Sequence, residues 1–343
     1  MKISYIKYSL KLKHRFTISH SSRTETPIVL VKVEQNGITG FGEASLPPYL
    51  KETQDSVCEF LSEIKLRDIH SVEDLTELNM EIKSLSQNDC AAKAAVNIAL
   101  NDLLGKIFGI PVYKLYGIKN RIEPAFTSFT IGIDDEKTLR EKIGEAKDYK
   151  ILKIKLGTEN DEQIIKVIRE ETGKPLYIDA NQGWKDKNRA YEMIEFLNEQ
   201  NVLFIEQPMP VNLLDDARWL KEKSLLPIIA DEAFQTYDDL EKIKDSYHGI
   251  NIKLMKCGGI NEALKIIQNA KLLDLKIMLG CMTETSCAIS AAAQIAPLAD
   301  YLDLDGNLLI SNDPFERDSS KNGIIEFTDL PGLGISEKEV IFK

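Results

Sequence analysis

Hydrophobic and polar positions follow two different patterns along the chain, and the change falls near residue 118. The first part opens with alternating positions, which predict strands at residues 4–13, 28–34 and 39–44. Helical segments come next. The clearest runs over residues 87–108, with Asn88 and Asp89 as capping candidates at its start. Residues 1–118 are therefore predicted to form an α+β domain of their own.

Beyond residue 118, short apolar runs alternate with amphipathic helical stretches, a pattern typical of βα repeats around a parallel sheet. The candidate strands are residues 125–132, 151–156, 176–180, 203–206, 228–230, 250–254, 277–280 and 301–304. Eight evenly spaced βα periods favour a closed barrel over an open sheet. Because no long helix follows the last strand, we predict an α/β fold with a (β/α)7β TIM-like barrel over residues 119–310. The tail, residues 311–343, is expected to return to the first domain and complete it.

Charged residues stand at nearly every predicted strand end of this barrel. A charge at the mouth of a core strand is costly unless it is paired or bound to a metal. These residues are Lys153, Lys155, Asp179, Glu206, Asp231, Lys253, Asp303 and Asp305. One acidic residue at a strand end is usually a solvated loop residue or a helix cap, and one Lys-x-Lys is usually an exposed edge. The joint pattern predicts an active site at the carboxyl end of the barrel.

Asp179, Glu206 and Asp231 end three consecutive strands, so their carboxylates are expected to converge. Carboxylate oxygens converging in this way suit Mg²⁺, which prefers oxygen ligands and retains waters. The sequence thus predicts a Mg²⁺ site formed by these three residues.

Lysines are predicted on both sides of that metal site. Lys153 and Lys155 share one face of their strand, and Lys253 lies four strands away across the barrel mouth. This arrangement suits removal of a proton next to a carboxylate: the metal stabilises the enediolate, one lysine removes the proton, and the other returns it from the opposite face. Lys253 and one lysine of the Lys153 and Lys155 pair are the candidate acid and base. The other lysine of that pair is expected to contact the substrate and to lower the pKa of its neighbour.

The acidic composition narrows the possible partners. The chain has 43 Lys and Arg residues and 54 Asp and Glu residues, which give a net charge of −11. This negative charge argues against binding to nucleic acid or anionic lipid. No apolar run approaches the roughly 18 residues of a membrane span. Five scattered cysteines without a CxxC pair fit a reducing compartment. A cytoplasmic protein that binds a small molecule is predicted, and a homo-oligomer stays possible.

Several segments together resemble one family. They are KIKLG (153–157), DANQGW (179–184), IEQP (205–208), ADEA (230–233), NIKLMKCGGI (251–260) and, in the first domain, GFGEA (40–44). In this order they resemble the muconate-lactonizing subgroup of the enolase superfamily, in which an N-terminal capping domain covers the barrel. The resemblance implies that Asp179, Glu206 and Asp231 bind Mg²⁺, and that Lys155 and Lys253 exchange the proton.

The subgroup includes several activities, and Asp303 and Asp305 favour one of them. The pair resembles the Asp-x-Asp of dipeptide epimerases, which holds the substrate's α-ammonium group, and a buried cation needs a carboxylate partner. An Mg²⁺-dependent dipeptide epimerase is therefore predicted, with L-Ala-D/L-Glu as the substrate implied by the family and with Arg23 or His20 as contacts for its side chain. The alternatives are an o-succinylbenzoate synthase, an N-acylamino acid racemase, a cycloisomerase, or a non-catalytic binding module that kept its metal.

Overall fold

The computed structural model describes residues 1–18, 21–119, 125–317, 323–325, 327–338 and 340–342. Its N-terminal part opens with an antiparallel sheet of three strands in the order β1–β2–β3. These are β1 (Lys2–Ile18), β2 (Ser21–Gln35) and β3 (Ile38–Ser45). Asn36 and Gly37 join the last two strands with positive φ values of 52° and 79°, as a tight hairpin turn requires.

Helices cover this sheet, and one of them lies unusually close to it. They are α1 (Gln54–Glu63), α2 (Val72–Ser84), α3 (Cys90–Phe108) and α4 (Val112–Leu115). A Cβ added at Gly42 of β3 would lie 1.9 Å from the Ala95 carbonyl oxygen of α3, and one added at Gly40 would lie 2.1 Å from the Ala99 oxygen. Strand and helix can therefore touch backbone to backbone only because these two positions are glycine.

The start of α3 differs from the prediction. Asp89 occupies the cap position with φ 60° and makes no side-chain cap bond, so its assignment as a capping residue is wrong. The carboxylate of Glu52 instead accepts hydrogen bonds from the backbone N–H groups of Ala91 and Ala92, at 2.7 and 3.0 Å. A residue distant in sequence thus satisfies helix N–H groups that local side chains usually satisfy.

The barrel prediction is confirmed, although its first predicted strand is divided in two. A short strand β4 (Ala125–Phe126) precedes eight parallel strands, which are hydrogen-bonded in sequential order. These are β5 (Phe129–Ile131), β6 (Leu152–Lys155), β7 (Leu176–Asp179), β8 (Val202–Glu206), β9 (Ile228–Ala230), β10 (Gly249–Ile252), β11 (Lys276–Gly280) and β12 (Tyr301–Asp303).

Helices on the outside connect these strands. They are α5 (Glu136–Glu145), α6 (Asp161–Glu171), α7 (Lys187–Asn198), α8 (Leu214–Lys223), α9 (Leu240–Ile243), α10 (Leu254–Cys257), α11 (Ile260–Leu272) and α12 (Ser286–Ala293). Short 3-10 helices lie at Tyr237–Asp239, Ala296–Leu298 and Gly306–Leu309. Within the described residues, no helix is both long and apolar enough to cross a membrane.

Hydrogen bonds between the two edge strands close the barrel. The backbone N–H of Ser128, just before β5, donates to the carbonyl of Leu302 in β12 at 3.2 Å. The N–H of Leu304 donates to the hydroxyl of Thr127 at 2.6 Å. The first and last strands therefore meet at a seam, and side chains from either edge can share one site.

The C-terminal residues pack against the N-terminal part. They form β13 (Phe315–Arg317), which pairs with β15 (Ile335–Glu337), and β14 (Ile324–Ile325), which pairs with β4. The N–H of Leu333 donates to the Asp102 carboxylate of α3 at 2.8 Å, and the N–H of Val112 donates to the carbonyl of Gly332 at 3.0 Å. The domain boundaries at residues 118 and 310 stay a prediction.

An apolar layer fills the barrel below the strand ends. Tyr177, Phe204, Ile229 and Met278 form a buried cluster inside it, and the rings of Tyr177 and Phe204 are 4.3 Å apart. Side chains two positions apart point to the same face of a strand. Residues two positions beyond this layer on β7, β8 and β9 therefore face the interior at the carboxyl end of the barrel.

Candidate active site

The strand ends bring the predicted charged residues together. Asp179 and Glu206 end β7 and β8, Asp231 and Lys253 directly follow β9 and β10, and Lys153 and Lys155 lie on β6. Asp303 ends β12, and Asp305 follows two residues later. All eight residues are buried. They form one layer of charge above the apolar layer.

Three of these carboxylates form an acidic triad, defined here as Asp179, Glu206 and Asp231. One oxygen from each lies within 4.8 Å of one from each of the others. Oxygen Oε2 of Glu206 is buried and makes no hydrogen bond within the described residues, although the Lys153 ammonium lies 2.7 Å away. An all-oxygen set with a buried acceptor lacking a hydrogen bond suits a hard divalent cation such as Mg²⁺.

The electrostatics of the triad also favour a bound cation. Burial, and then the neighbouring Asp179 carboxylate, raise the pKa of Glu206 to about 8. Burial acts in the same direction on Asp231, but the ammonium groups of Lys253 and Lys256 outweigh it and hold the pKa of Asp231 well below its usual range. Three buried carboxylates repel one another, and a divalent cation between them would offset that repulsion.

The two predicted acid/base lysines contact opposite members of the triad. The Lys155 ammonium lies 2.6 Å from Oδ2 of Asp179, and the Lys253 ammonium lies 2.7 Å from Oδ2 of Asp231. Glu206 stands on the strand between those two carboxylates. The triad therefore lies between two lysines, which can approach a bound molecule from two sides.

The third lysine, Lys153, connects two groups of carboxylates. Its ammonium lies 2.7 Å from Asp303 and from Glu206, and 3.2 Å from Asp179. Burial lowers the pKa of Lys153, but these three carboxylates outweigh burial and raise the pKa well above its ordinary value. Lys153 is therefore a stably charged residue that joins the triad to the pair of acids on β12.

That pair, Asp303 and Asp305, lies at the seam of the barrel. Asp303 accepts a hydrogen bond from the hydroxyl of Ser128 at 2.7 Å, and Asp305 accepts one from the backbone N–H of Thr130 at 2.6 Å. Burial, and then the Asp303 carboxylate, raise the pKa of Asp305 to about 7. A cation entering beside Asp305 would favour its ionised form.

A pocket lies above these groups, with an empty volume of about 680 Å³ that includes its open mouth. Arg23 and Tyr49 from the N-terminal part line it, together with Thr283 from the loop after β11. The Arg23 guanidinium donates to the hydroxyl of Thr283 at 3.1 Å. His20 lies outside the described residues.

Several polar residues of the site were assigned no role from the sequence, among them Lys256, Asn251 and Glu232. The ammonium of Lys256 donates to Oδ1 of Asp231 at 2.6 Å, and the amide of Asn251 donates to Oε1 of Glu206 at 2.7 Å. Glu232 lines the pocket. The signal for Asn251 was its place two residues before Lys253, on the same face of the chain. The contact made by Lys256 depends on the short helix α10, which the sequence pattern did not predict.

A parallel eight-stranded barrel with an acidic triad between two lysines at its carboxyl end, covered by an α+β unit, has the architecture of the enolase superfamily. Two family models agree with this class. Residues 3–117 match the mandelate racemase / muconate lactonizing enzyme N-terminal domain, and residues 137–340 match the enolase C-terminal domain-like family. The chain belongs to the mandelate racemase / muconate lactonizing enzyme family of this superfamily.

Similar proteins in this family are named for related reactions. The chain is 49% identical over 336 residues to an L-Ala-D/L-Glu epimerase of Bacteroides thetaiotaomicron, covering 98% of this chain and 88% of the relative. A dipeptide epimerase of Enterococcus faecalis, solved with Mg and L-Leu-L-Tyr, matches with a TM-score of 0.90, 30% identity, and 98% and 99% of the two chains covered. An N-succinyl Arg/Lys racemase of Bacillus cereus matches with a TM-score of 0.90, 28% identity, and 98% and 96% covered.

Proposed function

We propose that this protein is an Mg²⁺-dependent dipeptide epimerase that inverts the α-carbon of the C-terminal residue. The observation that carries the proposal is the second pair of buried carboxylates, Asp303 and Asp305, in the same pocket as the acidic triad and its lysines. A reaction at the carbon next to a carboxylate uses the triad and the lysines. The extra pair of acids matches a substrate that also carries a positive charge.

Asp179, Glu206 and Asp231 would hold Mg²⁺ in this proposal. When bound, the ion supplies positive charge that stabilises the negative charge developing on the substrate carboxylate. The protein's own residues move the protons. Lys155 and Lys253 lie beside opposite members of the triad, so one removes the α-proton while the other donates a proton to the opposite face of the carbon.

The substrate's α-ammonium group would bind between Asp303 and Asp305. Asp303 already accepts from Ser128 and lies beside Lys153, whereas Asp305 accepts from a backbone N–H. We therefore expect Asp305 to contribute more to ammonium binding. Lys153 would keep Asp303 ionised, because its ammonium lowers the pKa of that carboxyl group.

The side chain of the inverted residue would point towards the rim of the pocket. Arg23 is a cation at that rim, and its guanidinium would pair with the carboxylate of a glutamate side chain. With the 49% identical relative named L-Ala-D/L-Glu epimerase, this makes L-Ala-D/L-Glu the proposed substrate. A role for His20, a cytoplasmic location and a homo-oligomer stay predictions.

An N-acylamino acid racemase is the second candidate, because the solved N-succinyl Arg/Lys racemase has a similar fold. An N-acyl substrate has no α-ammonium group, because its α-nitrogen is an amide. The two buried carboxylates beside that nitrogen would face a neutral amide, and their negative charge would have no positively charged partner in the substrate. Asp303 and Asp305 therefore favour the dipeptide over the N-acyl substrate.

A comparison of free and N-acetylated L-Ala-L-Glu tests the proposal. Charge-assisted hydrogen bonds contribute roughly 1.5–3 kcal/mol each. Acetylation should therefore lower kcat/KM for epimerisation at least about tenfold. Asp305→Asn should lower kcat/KM for the free dipeptide and have little further effect on the acetylated one, because the ammonium is already gone.

Asp329→Asn is the matched control, since Asp329 is exposed and pairs with Lys114 away from the pocket. It should leave both kcat/KM values unchanged. Equal kcat/KM for the free and acetylated substrates would contradict the epimerase proposal and favour the racemase.

A further inference from the structure

Each carboxylate of the acidic triad is held through one of its two oxygens by a donor of the scaffold. Oδ1 of Asp179 accepts from the backbone N–H of Asn181 at 2.9 Å. Oε1 of Glu206 accepts from the Asn251 amide at 2.7 Å, and Oδ1 of Asp231 accepts from the Lys256 ammonium at 2.6 Å. The donors differ in chemistry, but the pattern is the same in all three carboxylates.

The second oxygen of each carboxylate lies beside a lysine ammonium of the pocket. Oδ2 of Asp179 is 2.6 Å from Lys155. Oε2 of Glu206 is 2.7 Å from Lys153, and Oδ2 of Asp231 is 2.7 Å from Lys253. Each carboxylate therefore has one oxygen held by a donor of the scaffold and one oxygen beside the ammonium of Lys153, Lys155 or Lys253.

The two side-chain donors are themselves held in place. Besides the Asp231 carboxylate, Lys256 donates to the backbone carbonyls of Asp231 and Phe234, both at 2.8 Å, so all three N–H bonds of its ammonium have acceptors. Its side chain is 1% exposed. Asn251 packs against Gly280, where an added Cβ would lie 2.4 Å from Asn251 Oδ1. Neither donor can turn away without losing contacts in the protein interior.

We propose that Asn251 and Lys256 are positioning residues that select Mg²⁺ over Ca²⁺, by leaving Glu206 and Asp231 one oxygen each for the metal. Mg²⁺ keeps several waters and takes single oxygens at short distance, whereas Ca²⁺ takes six to eight oxygens and often both from one carboxylate. A hydrogen-bonded oxygen keeps a second lone pair, but a fixed donor on that oxygen holds the carboxylate in one orientation. Binding through both oxygens would require the carboxylate to turn and that hydrogen bond to weaken. The inference rests on the proposed metal-binding role of the triad.

Two substitutions remove these donors without adding polar groups. Lys256→Met frees Oδ1 of Asp231, and Asn251→Leu frees Oε1 of Glu206 without changing the charge. Loss of the Lys256 charge should strengthen the binding of both divalent ions by a similar factor, because each carries the same charge. The ratio of the two affinities therefore reports whether the second carboxylate oxygen can bind the metal, and not the change in charge.

The experiment is calorimetric titration of the metal-free, full-length protein with MgCl₂ and with CaCl₂. In both variants the ratio of the Ca²⁺ to the Mg²⁺ dissociation constant should fall about tenfold from the wild-type ratio. Lys142→Met is the matched control: Lys142 is also buried, with a side chain 8% exposed and 2.6 Å from Asp134, but it does not line the catalytic pocket. Its ratio should equal that of the wild type.

An unchanged ratio in the folded variants would overturn the inference while leaving the metal site itself intact. If Lys256→Met fails to fold, the ratio of the two dissociation constants in Asn251→Leu tests the inference alone. A wild-type protein that binds neither ion would instead overturn the proposed metal role, and the selectivity inference with it.

Discussion

Four lysines line one pocket, and the contacts of Lys153, Lys155 and Lys253 indicate different chemical roles for these three. Lys155 and Lys253 each touch one outer member of the acidic triad, whereas Lys153 touches Asp179, Glu206 and Asp303 at once. An ammonium that is shared by several buried carboxylates is a poor proton acceptor, because giving up its proton would leave their charges uncompensated. We therefore propose that Lys155 and Lys253, and not Lys153, exchange the proton.

Removal of either lysine should uncouple proton exchange from inversion. Lys253→Ala and Lys155→Ala should each abolish epimerisation, because only one face of the α-carbon keeps a base. Each variant should still exchange the α-hydrogen of one substrate enantiomer in deuterated water, and the two variants should differ in which enantiomer it is. Mass spectrometry of both enantiomers reads this out. Loss of exchange on both enantiomers in both folded variants would contradict the two-base mechanism.

At the scale of elements, the contact between β3 and α3 decides how the N-terminal part packs. Gly42→Ala would place a methyl group on the backbone of α3, so strand and helix must separate. We expect a loss of at least about 2 kcal/mol in the free energy of unfolding. Gly144→Ala is the control, since Gly144 lies exposed on α5 with open space around it. Urea denaturation measures both, and equal stability of the two variants would contradict the packing argument.

The strand elements of the site were predictable, whereas its side-chain partners were not. Asp179 and Glu206 could be placed because strands recur at a regular spacing and barrel strands end at one mouth. The hydrogen bond from Ser128 to Asp303 depends on closure of the seam, where the predicted strand 125–132 breaks in two. Contacts of this kind join residues far apart in sequence, and no local pattern of hydrophobic and polar positions encodes them.

At the scale of the whole molecule, the N-terminal part holds the barrel loop after β11 over the pocket. The Ser45 hydroxyl donates to the carbonyl of Thr283 at 2.6 Å, and Arg23 donates to the hydroxyl of the same residue at 3.1 Å. The carboxylate of Glu43 accepts from the Thr285 backbone N–H at 3.1 Å and also from its hydroxyl. The two parts of the chain therefore form the rim of the pocket together.

This junction should make stability depend on pH. Burial, and then the Glu284 carboxylate, raise the pKa of Glu43 to about 8. Between the ordinary glutamate pKa and pH 8 the folded state binds more protons at this site than the unfolded state. The free energy of unfolding should therefore fall as pH rises through that window, by at most about 1.4 kcal/mol per pH unit.

Glu43→Gln removes this titration, so the stability of the wild type relative to the variant should decrease from pH 5 to about pH 8. Denaturant unfolding of the two metal-free proteins across that range measures the difference. A difference that does not change with pH would show that Glu43 is ionised to the same extent in both states.

In the proposed function, the acidic triad supports metal-dependent inversion of a dipeptide's C-terminal α-carbon. The most direct measurement follows L-Ala-L-Glu in deuterated water with metal-free protein, before and after addition of Mg²⁺, by mass and by chiral separation. We expect no change before Mg²⁺. Afterwards, one deuterium should enter at the glutamate α-carbon as L-Ala-D-Glu forms, and Glu206→Gln should lack both effects. Inversion in the rigorously metal-free protein, or inversion without deuterium uptake, would contradict the account.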